Sequence, residues 1–134
     1  MQNHKRWLKI ANEDLFGAKT VLKVELFSLV TYLCQQSAEK SLKAYLIFNK
    51  TKIVRTHDLN SLIELCMGFD KNFEKIYDPA KLLNPFSDKF RYPTEYDVPD
   101  IAVAQEAIKN AQRILTFVVK KVSQPETGQK DIFK

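Results

Sequence analysis

The segment LFSLVTYLCQQSAEKSLKAYLIF, residues 26–48, decides the fold, because its polar and apolar residues separate at helical periodicity. At about 100° per residue, its larger polar side chains fall within a single arc of about 140°. The rest of the circumference is apolar or small, and Ala38 and Ser41 allow neighbouring helices to approach closely. The sequence therefore predicts a central, largely buried helix. The polar arc comprises Tyr32, Gln35, Gln36, Glu39, Lys40 and Lys43.

Three other segments between residues 4 and 90 repeat apolar residues at three- and four-residue intervals, which also predicts helices. Residues 4–23 and residues 58–69 show this pattern without interruption. In residues 72–90 the same rhythm is interrupted by Pro79 and Pro85. Because proline removes a helical hydrogen bond, we expect a kinked or broken helix there.

The last predicted helix spans residues 99–122. We expect Asp97 to be its N-cap and Pro99 to lie in its first turn, where the missing N–H does no harm. Lys120 and Lys121 lie at the end where the helix dipole favours cations.

Short connections between helices favour antiparallel neighbours. We therefore expect an all-α protein, an up-and-down antiparallel bundle of four to five helices. Residues 1–122 would form one domain and residues 123–134 a flexible tail. The stretch RYPTEYDVPD, residues 91–100, should be a loop because it contains two prolines. The inner faces are predicted to include Ile10 and Ile101.

The charge of this 134-residue chain is unevenly placed along the sequence. The chain has 21 Lys and Arg and 16 Asp and Glu, a net charge of +5. Residues 1–60 hold ten of the basic and five of the acidic residues, whereas residues 61–134 hold eleven of each. A basic half attracts phosphates, so this distribution is compatible with an anionic partner.

Several classes of protein and of site are excluded by the sequence. No apolar run approaches the roughly 20 residues of a membrane span, and no signal peptide is evident, so we expect a cytoplasmic protein. Cys34 and Cys66 have no ligand neighbours at metal spacing and are expected to be buried thiols. Glycine-rich phosphate loops and nucleophile elbows are absent, and two histidines exclude a multi-histidine metal centre. We expect no metal and no cofactor.

The stretch IVRTHDL, residues 53–59, is a candidate site. It places His57 between Arg55 and Asp58, and a histidine beside such groups can transfer protons at neutral pH. The alternative is structural, because Thr56 or Asp58 can cap the helix that follows.

The polar arc of residues 26–48 and the stretch FRYP, residues 90–93, also have two interpretations. Glu39 and Lys43 form an i,i+4 pair of the kind usually found on a solvated face. Alternatively Gln36, Lys40 and Lys43 bind a phosphate or a partner. In FRYP, Arg91 either pairs with Asp88 within the loop or, with Tyr92, contacts a base or a phosphate.

Taken together, these segments resemble the HEPN domain family, named for nucleotide binding in higher eukaryotes and prokaryotes. The similarity covers about residues 5–122 and implies a helical bundle that is commonly a homodimer. It also implies a minimal nucleotidyltransferase as a frequent partner, as in toxin–antitoxin systems. The matching motifs are Trp7 with ANEDLFGAK, CQQSAEKSLKAYL, RTHDL and RYP.

Many HEPN proteins are metal-independent ribonucleases with an Arg followed, after four to six residues, by a His. Arg91 fits the Arg position of that motif. The residues at the three permitted spacings are Tyr96, Asp97 and Val98, so the histidine is missing. His57 does not fit the motif either, because only Thr56 separates it from Arg55.

The sequence therefore favours a non-catalytic HEPN module that binds a nucleotide or an RNA phosphate, or a minimal nucleotidyltransferase. One alternative is a ribonuclease toxin in which His57 and Arg91 meet in the folded dimer. Another is a purely structural helical adaptor. The expected ligand contacts are Gln36, Lys40, Lys43, Arg55, His57, Arg91 and Tyr92.

Overall fold

The computed structural model describes residues 3–87 and 99–123, which form five α-helices and no strand. One 3-10 turn, Lys71–Ile76, precedes α4, and another, Asn84–Phe86, follows it. The predicted all-α, up-and-down bundle is confirmed. The helices are α1 (His4–Leu22), α2 (Phe27–Phe48), α3 (Leu59–Met67), α4 (Tyr77–Leu83) and α5 (Ile101–Ser123).

Helix α2 is the centre of the bundle, as its sequence predicts. It packs most extensively against α1 and α5 and also contacts α3 and α4. Its small residues Ala38 and Ser41 are fully buried, as is Leu42 beside them. These short side chains let the neighbouring helices approach the α2 backbone closely.

Two residues of the predicted inner faces are exposed in the structure. Helix α1 buries Ala11, Leu15 and Ala18, but Ile10 is 41% exposed because it lies at the edge of this narrow face. Helix α5 buries its predicted stripe from Ala104 onward, whereas Ile101, its first residue, is 50% exposed. Periodicity predicted the helices but not the width of the covered face.

The start of α3 shows what Thr56 and Asp58 do. The Asp58 carboxylate accepts a hydrogen bond from the backbone N–H of Asn60 at 3.1 Å, so Asp58 is the N-cap. The Thr56 hydroxyl accepts from the Asp58 N–H at 3.1 Å. Asn84 donates to Asp58 at 2.9 Å and accepts from the Leu59 N–H at 2.8 Å, which ties this helix start to the end of α4.

The described part of the segment predicted as a kinked or broken helix consists of the short helix α4 between two 3-10 turns. Pro79 is the third residue of α4, within the first turn, where its missing N–H costs nothing. Pro85 lies in the 3-10 turn that ends this region. Residues 88–98, which include most of the predicted loop, lie outside the described residues.

The prediction for the start of the last helix was wrong. Helix α5 begins at Ile101, and the Asp100 carboxylate accepts from the Val103 N–H at 2.9 Å, which makes Asp100 the capping residue. Pro99 therefore precedes the helix instead of lying in its first turn. Asp97 lies outside the described residues, as do residues 124–134, the predicted tail.

Cys34 and Cys66 are buried, as predicted, and neither forms a disulfide. Burial raises the pKa of Cys34 to about 12, and it also raises the pKa of Cys66. Both thiols are therefore inert packing groups at neutral pH. None of the helices in residues 3–87 and 99–123 is long and apolar enough to cross a bilayer.

Two helices end in a left-handed residue that is not glycine. Glu25 follows α1 with φ 62° and Lys50 follows α2 with φ 66°. In each case the next N–H bonds back to a carbonyl of the last turn, from Leu26 to Val21 and from Thr51 to Leu46. This geometry suits glycine and strains other residues.

Lys50→Gly is expected to raise the free energy of unfolding by about 1 kcal/mol, because glycine adopts the left-handed conformation without strain. Urea denaturation followed by circular dichroism measures this. Lys50→Ala is the matched control, since it keeps the Cβ and should stay close to wild type. A glycine variant no more stable than the alanine variant would contradict the interpretation.

Asp58→Ala is expected to cost about 1 kcal/mol of stability at pH 7 through loss of the cap. Hydrogen bonds from the Ser61 hydroxyl, and then from the Asn84 amide and backbone N–H groups, lower the pKa of Asp58. A carboxyl with a lowered pKa stabilises the fold above its ordinary value of 3.8 and loses this as pH falls through the folded pKa. The difference from wild type should therefore shrink on acidification. Asp58→Asn, which keeps a capping oxygen, should lose less.

Candidate functional site

The polar arc of α2 is largely buried, which contradicts the interpretation of it as a solvated face. Gln35 is fully buried, Glu39 is 5% exposed and Lys43 is 7% exposed. Polar groups removed from water need partners within the protein. These side chains find them in one another and in the chain segment that follows α2.

Glu39 is the centre of this arrangement. Lys43 Nζ lies 2.9 Å from Glu39 Oε2, one helical turn along α2. Gln35 Nε2, one turn in the other direction, donates to Glu39 Oε1 at 3.3 Å. His57 Nδ1, from the segment before α3, lies 3.1 Å from both carboxylate oxygens. Three donors from two parts of the chain therefore surround one buried carboxylate.

The hydrogen bonds continue from Gln35 to helix α1. Gln36 Nε2 donates to Gln35 Oε1 at 2.8 Å, and Lys40 Nζ donates to Gln36 Oε1 at 3.3 Å. Lys40 also pairs with Asp14 of α1 at 2.8 Å. Gln35 Nε2 additionally donates to the His57 carbonyl at 3.2 Å. We call this set the Glu39 network; it comprises Asp14, Gln35, Gln36, Glu39, Lys40, Lys43 and His57.

His57 is the most exposed member of the Glu39 network. Its side chain is 74% exposed although Nδ1 contacts the buried carboxylate. An ionised carboxylate only accepts hydrogen bonds, so a hydrogen bond between His57 and ionised Glu39 requires the proton on Nδ1. Nε2 has no hydrogen-bond partner within residues 3–87 and 99–123. It can take up a proton when the ring is neutral and donate a hydrogen bond when the ring is protonated.

The structure brings together some of the sequence-predicted contacts and not others. Gln36, Lys40, Lys43 and His57 belong to the Glu39 network, and Arg55 lies exposed two residues before His57. Lys40 and Lys43 are neutralised by Asp14 and Glu39, so they are poor candidates for direct contact with an anion. Arg91 and Tyr92 lie outside the described residues, as do Tyr96, Asp97 and Val98.

Sequence reasoning missed the role of two acidic residues. Glu39 was interpreted only as the partner of Lys43, although its i,i+4 spacing from Gln35 was visible too. Nothing in the sequence linked Asp14 to Lys40, which lie 26 residues apart. No three His, Cys, Asp or Glu side chains in the described parts of the chain are placed to hold a metal ion.

Glu39→Leu is expected to lower the free energy of unfolding by about 3–5 kcal/mol, because it leaves Lys43 buried without its counter-ion. Urea denaturation of the single and double variants measures this. Glu39→Leu combined with Lys43→Met should lose much less, since no unpaired charge remains. Equal losses in the single and double variants would show that the pair is not electrostatically coupled.

Comparisons with known proteins agree with this architecture. The sequence model of the HEPN domain matches residues 4–122. ST0689, an archaeal HEPN homologue, is 27% identical, with a TM-score of 0.75 over 92% of this chain and 100% of that chain. TT1696 from Thermus thermophilus is 23% identical, with a TM-score of 0.74 over 90% of this chain and 99% of that chain, and shows the same fold. No curated protein matches this chain. The chain belongs to the HEPN domain family.

Proposed function

We propose that this chain is a non-catalytic HEPN module that binds a phosphate-bearing ligand, a nucleotide or RNA, through His57 and Arg55. The observation that carries the proposal is the contact of His57 Nδ1 with the buried Glu39 carboxylate, which leaves the rest of the ring exposed. The network orients the imidazole before a ligand arrives, which reduces the entropy lost on binding.

The charges around this site favour an anion at its exposed edge. Glu39 is buried and paired with Lys43, so its negative charge is neutralised within the protein and repels an anion at the exposed edge only weakly. Arg55 is exposed and forms no ion pair within the described residues. Its guanidinium can grip a phosphate with two parallel hydrogen bonds, and a protonated His57 adds a third from Nε2.

A second candidate function is metal-independent RNA cleavage, and the same contact favours it. A neutral His57 held through Nδ1 by a carboxylate presents Nε2 as a proton acceptor, the arrangement of a general base. An arginine, Arg55 or Arg91, would then stabilise the charge of the transition state. We rank this second because the histidine expected after Arg91 is absent from the sequence.

The family also suggests partners for this chain. The proposal includes a homodimer and a minimal nucleotidyltransferase as the protein partner. A nucleotidyltransferase encoded beside this gene would support the second of these, and sedimentation of the purified chain would test the first.

His57→Ala and Arg55→Ala are each expected to weaken binding at least about tenfold, because they remove one and two charge-assisted hydrogen bonds to phosphate, respectively. Isothermal titration calorimetry with ATP and with a short single-stranded RNA measures the affinity. Arg6→Ala is the matched control: Arg6 is exposed on α1, outside the Glu39 network, and its loss should leave affinity within about twofold of wild type. No heat with either ligand, or equal losses in all three variants, would refute the proposal.

The wild type, His57→Ala and a further variant, Arg91→Ala, distinguish binding from cleavage. Wild-type protein incubated with end-labelled RNA in chelator is expected to leave the RNA intact. Cleavage that disappears in both His57→Ala and Arg91→Ala would replace the binding proposal by the ribonuclease alternative.

A further inference from the structure

A second surface, distinct from the Glu39 network, lies between α1, the first 3-10 turn and α5. It is a groove of about 700 Å³ and shares no residue with the network. Its apolar floor consists of the half-buried Ile108 and Phe117 with the buried Ile76 beneath them, and its remaining lining includes Gln112 and Thr116. We call it the α1–α5 groove. Its charged lining residues are Lys19, Lys75, Lys109, Arg113 and Lys120.

All five charged residues that line the groove are cations. None of them forms an ion pair with a carboxylate within residues 3–87 and 99–123. Lys19 Nζ instead donates to Gln112 Oε1 at 2.9 Å, and Arg113 Nη2 donates to the Lys75 carbonyl at 2.9 Å. By contrast, Lys121, at the same end of α5, is paired with Asp70 at 2.7 Å. The groove therefore concentrates unneutralised positive charge.

The floor of the groove does not resemble a platform for nucleic-acid bases. A base stacks on an open aromatic face. The Phe117 ring is instead packed edge-to-face with Phe73 at 4.9 Å between centroids, and Lys121 Nζ lies over it at 5.4 Å. Its floor partners Ile76 and Ile108 are aliphatic. Such a floor suits aliphatic side chains, and cations at its rim suit carboxylates.

We propose that the α1–α5 groove docks an acidic amphipathic helix of a partner protein. Leu, Ile or Val side chains at i, i+3, i+4 and i+7 would lie on the apolar floor, and flanking Glu or Asp would pair with the cations. From Ile108 to Lys120 the groove follows α5 for about 18 Å, the length of roughly three helical turns. The proposal does not rest on phosphate binding at His57 and Arg55.

The probe is a fluorescein-labelled synthetic helix of about 18 residues with a leucine stripe flanked by glutamates, and fluorescence anisotropy gives its affinity. Lys109→Glu with Lys120→Glu is expected to weaken binding at least about tenfold, since both reversals repel the acidic flanks. The matched control, Lys5→Glu with Lys9→Glu on the exposed side of α1, changes the net charge equally and should weaken binding less than about twofold.

A second peptide with the same glutamates but serine for leucine separates specific docking from general attraction to polyanions. It is expected to lose binding, because the apolar floor then has nothing to cover. Equal binding of both peptides would overturn the proposal, as would equal weakening by the two double variants. A short RNA that binds the wild type and not the groove variant, with no binding of the leucine peptide to the wild type, would assign the groove to RNA instead.

Amide chemical shifts of the wild-type protein provide a test that needs no variant to fold. The leucine peptide is expected to shift the resonances of Ile76, Ile108 and Phe117. Shifts confined to the surroundings of His57 and Arg55 would refute docking in the groove while supporting an anion site there. This experiment therefore distinguishes failure of peptide docking in the α1–α5 groove from failure of anion binding at His57 and Arg55.

Discussion

The rest of this structure depends on the burial of the Glu39 carboxylate. A carboxylate in the interior of a bundle is costly unless both of its oxygens are paired. Lys43 and Gln35 pair with it from α2 itself, but His57 comes from the segment that follows that helix. Gln35 also holds the His57 carbonyl. Pairing this buried charge therefore constrains the path of the chain between α2 and α3. The same contacts position the exposed ring of His57.

Ion pairing also determines which charged side chains of this protein remain available to bind a ligand. Lys40 and Lys43 both lie in the basic first half of the sequence, but they form ion pairs within the Glu39 network and are not available to a ligand. The cations of the α1–α5 groove, four of which lie in the electrically balanced second half, have no carboxylate partner in the described parts of the chain. The two proposed surfaces therefore differ in the side chains that they present. One presents a single oriented imidazole with the exposed Arg55 two residues before it in the chain, and the other presents several cations around an apolar floor.

Much of the fold was predictable because helical periodicity is a local property of the sequence. The central position of α2 and the four-residue inner face of α3 both follow from residues near one another in the chain. The cap of α3 was narrowed only to Thr56 or Asp58, and the structure selects Asp58. The errors lie where local signals were ambiguous. The sequence predicted Asp97 as the cap of the last helix, and the hydrogen bond from the Val103 N–H to the Asp100 carboxylate identifies Asp100 instead. Ile10 fits the stripe of α1, but no local rule says how much of that stripe a neighbouring helix covers.

The sequence by itself determined the helices, their order, the family and the absence of the usual ribonuclease histidine after Arg91. Only the tertiary structure decided which charged side chains are paired and which are left without a partner of opposite charge. A sequence cannot show that Lys40 would meet Asp14, or that His57 would reach Glu39 across 18 residues. Nor can it show that Lys19 and Lys75 would join the cations of α5 around one groove. The physical reason is that electrostatic interactions depend on distance and burial in space, and separation along the chain predicts neither.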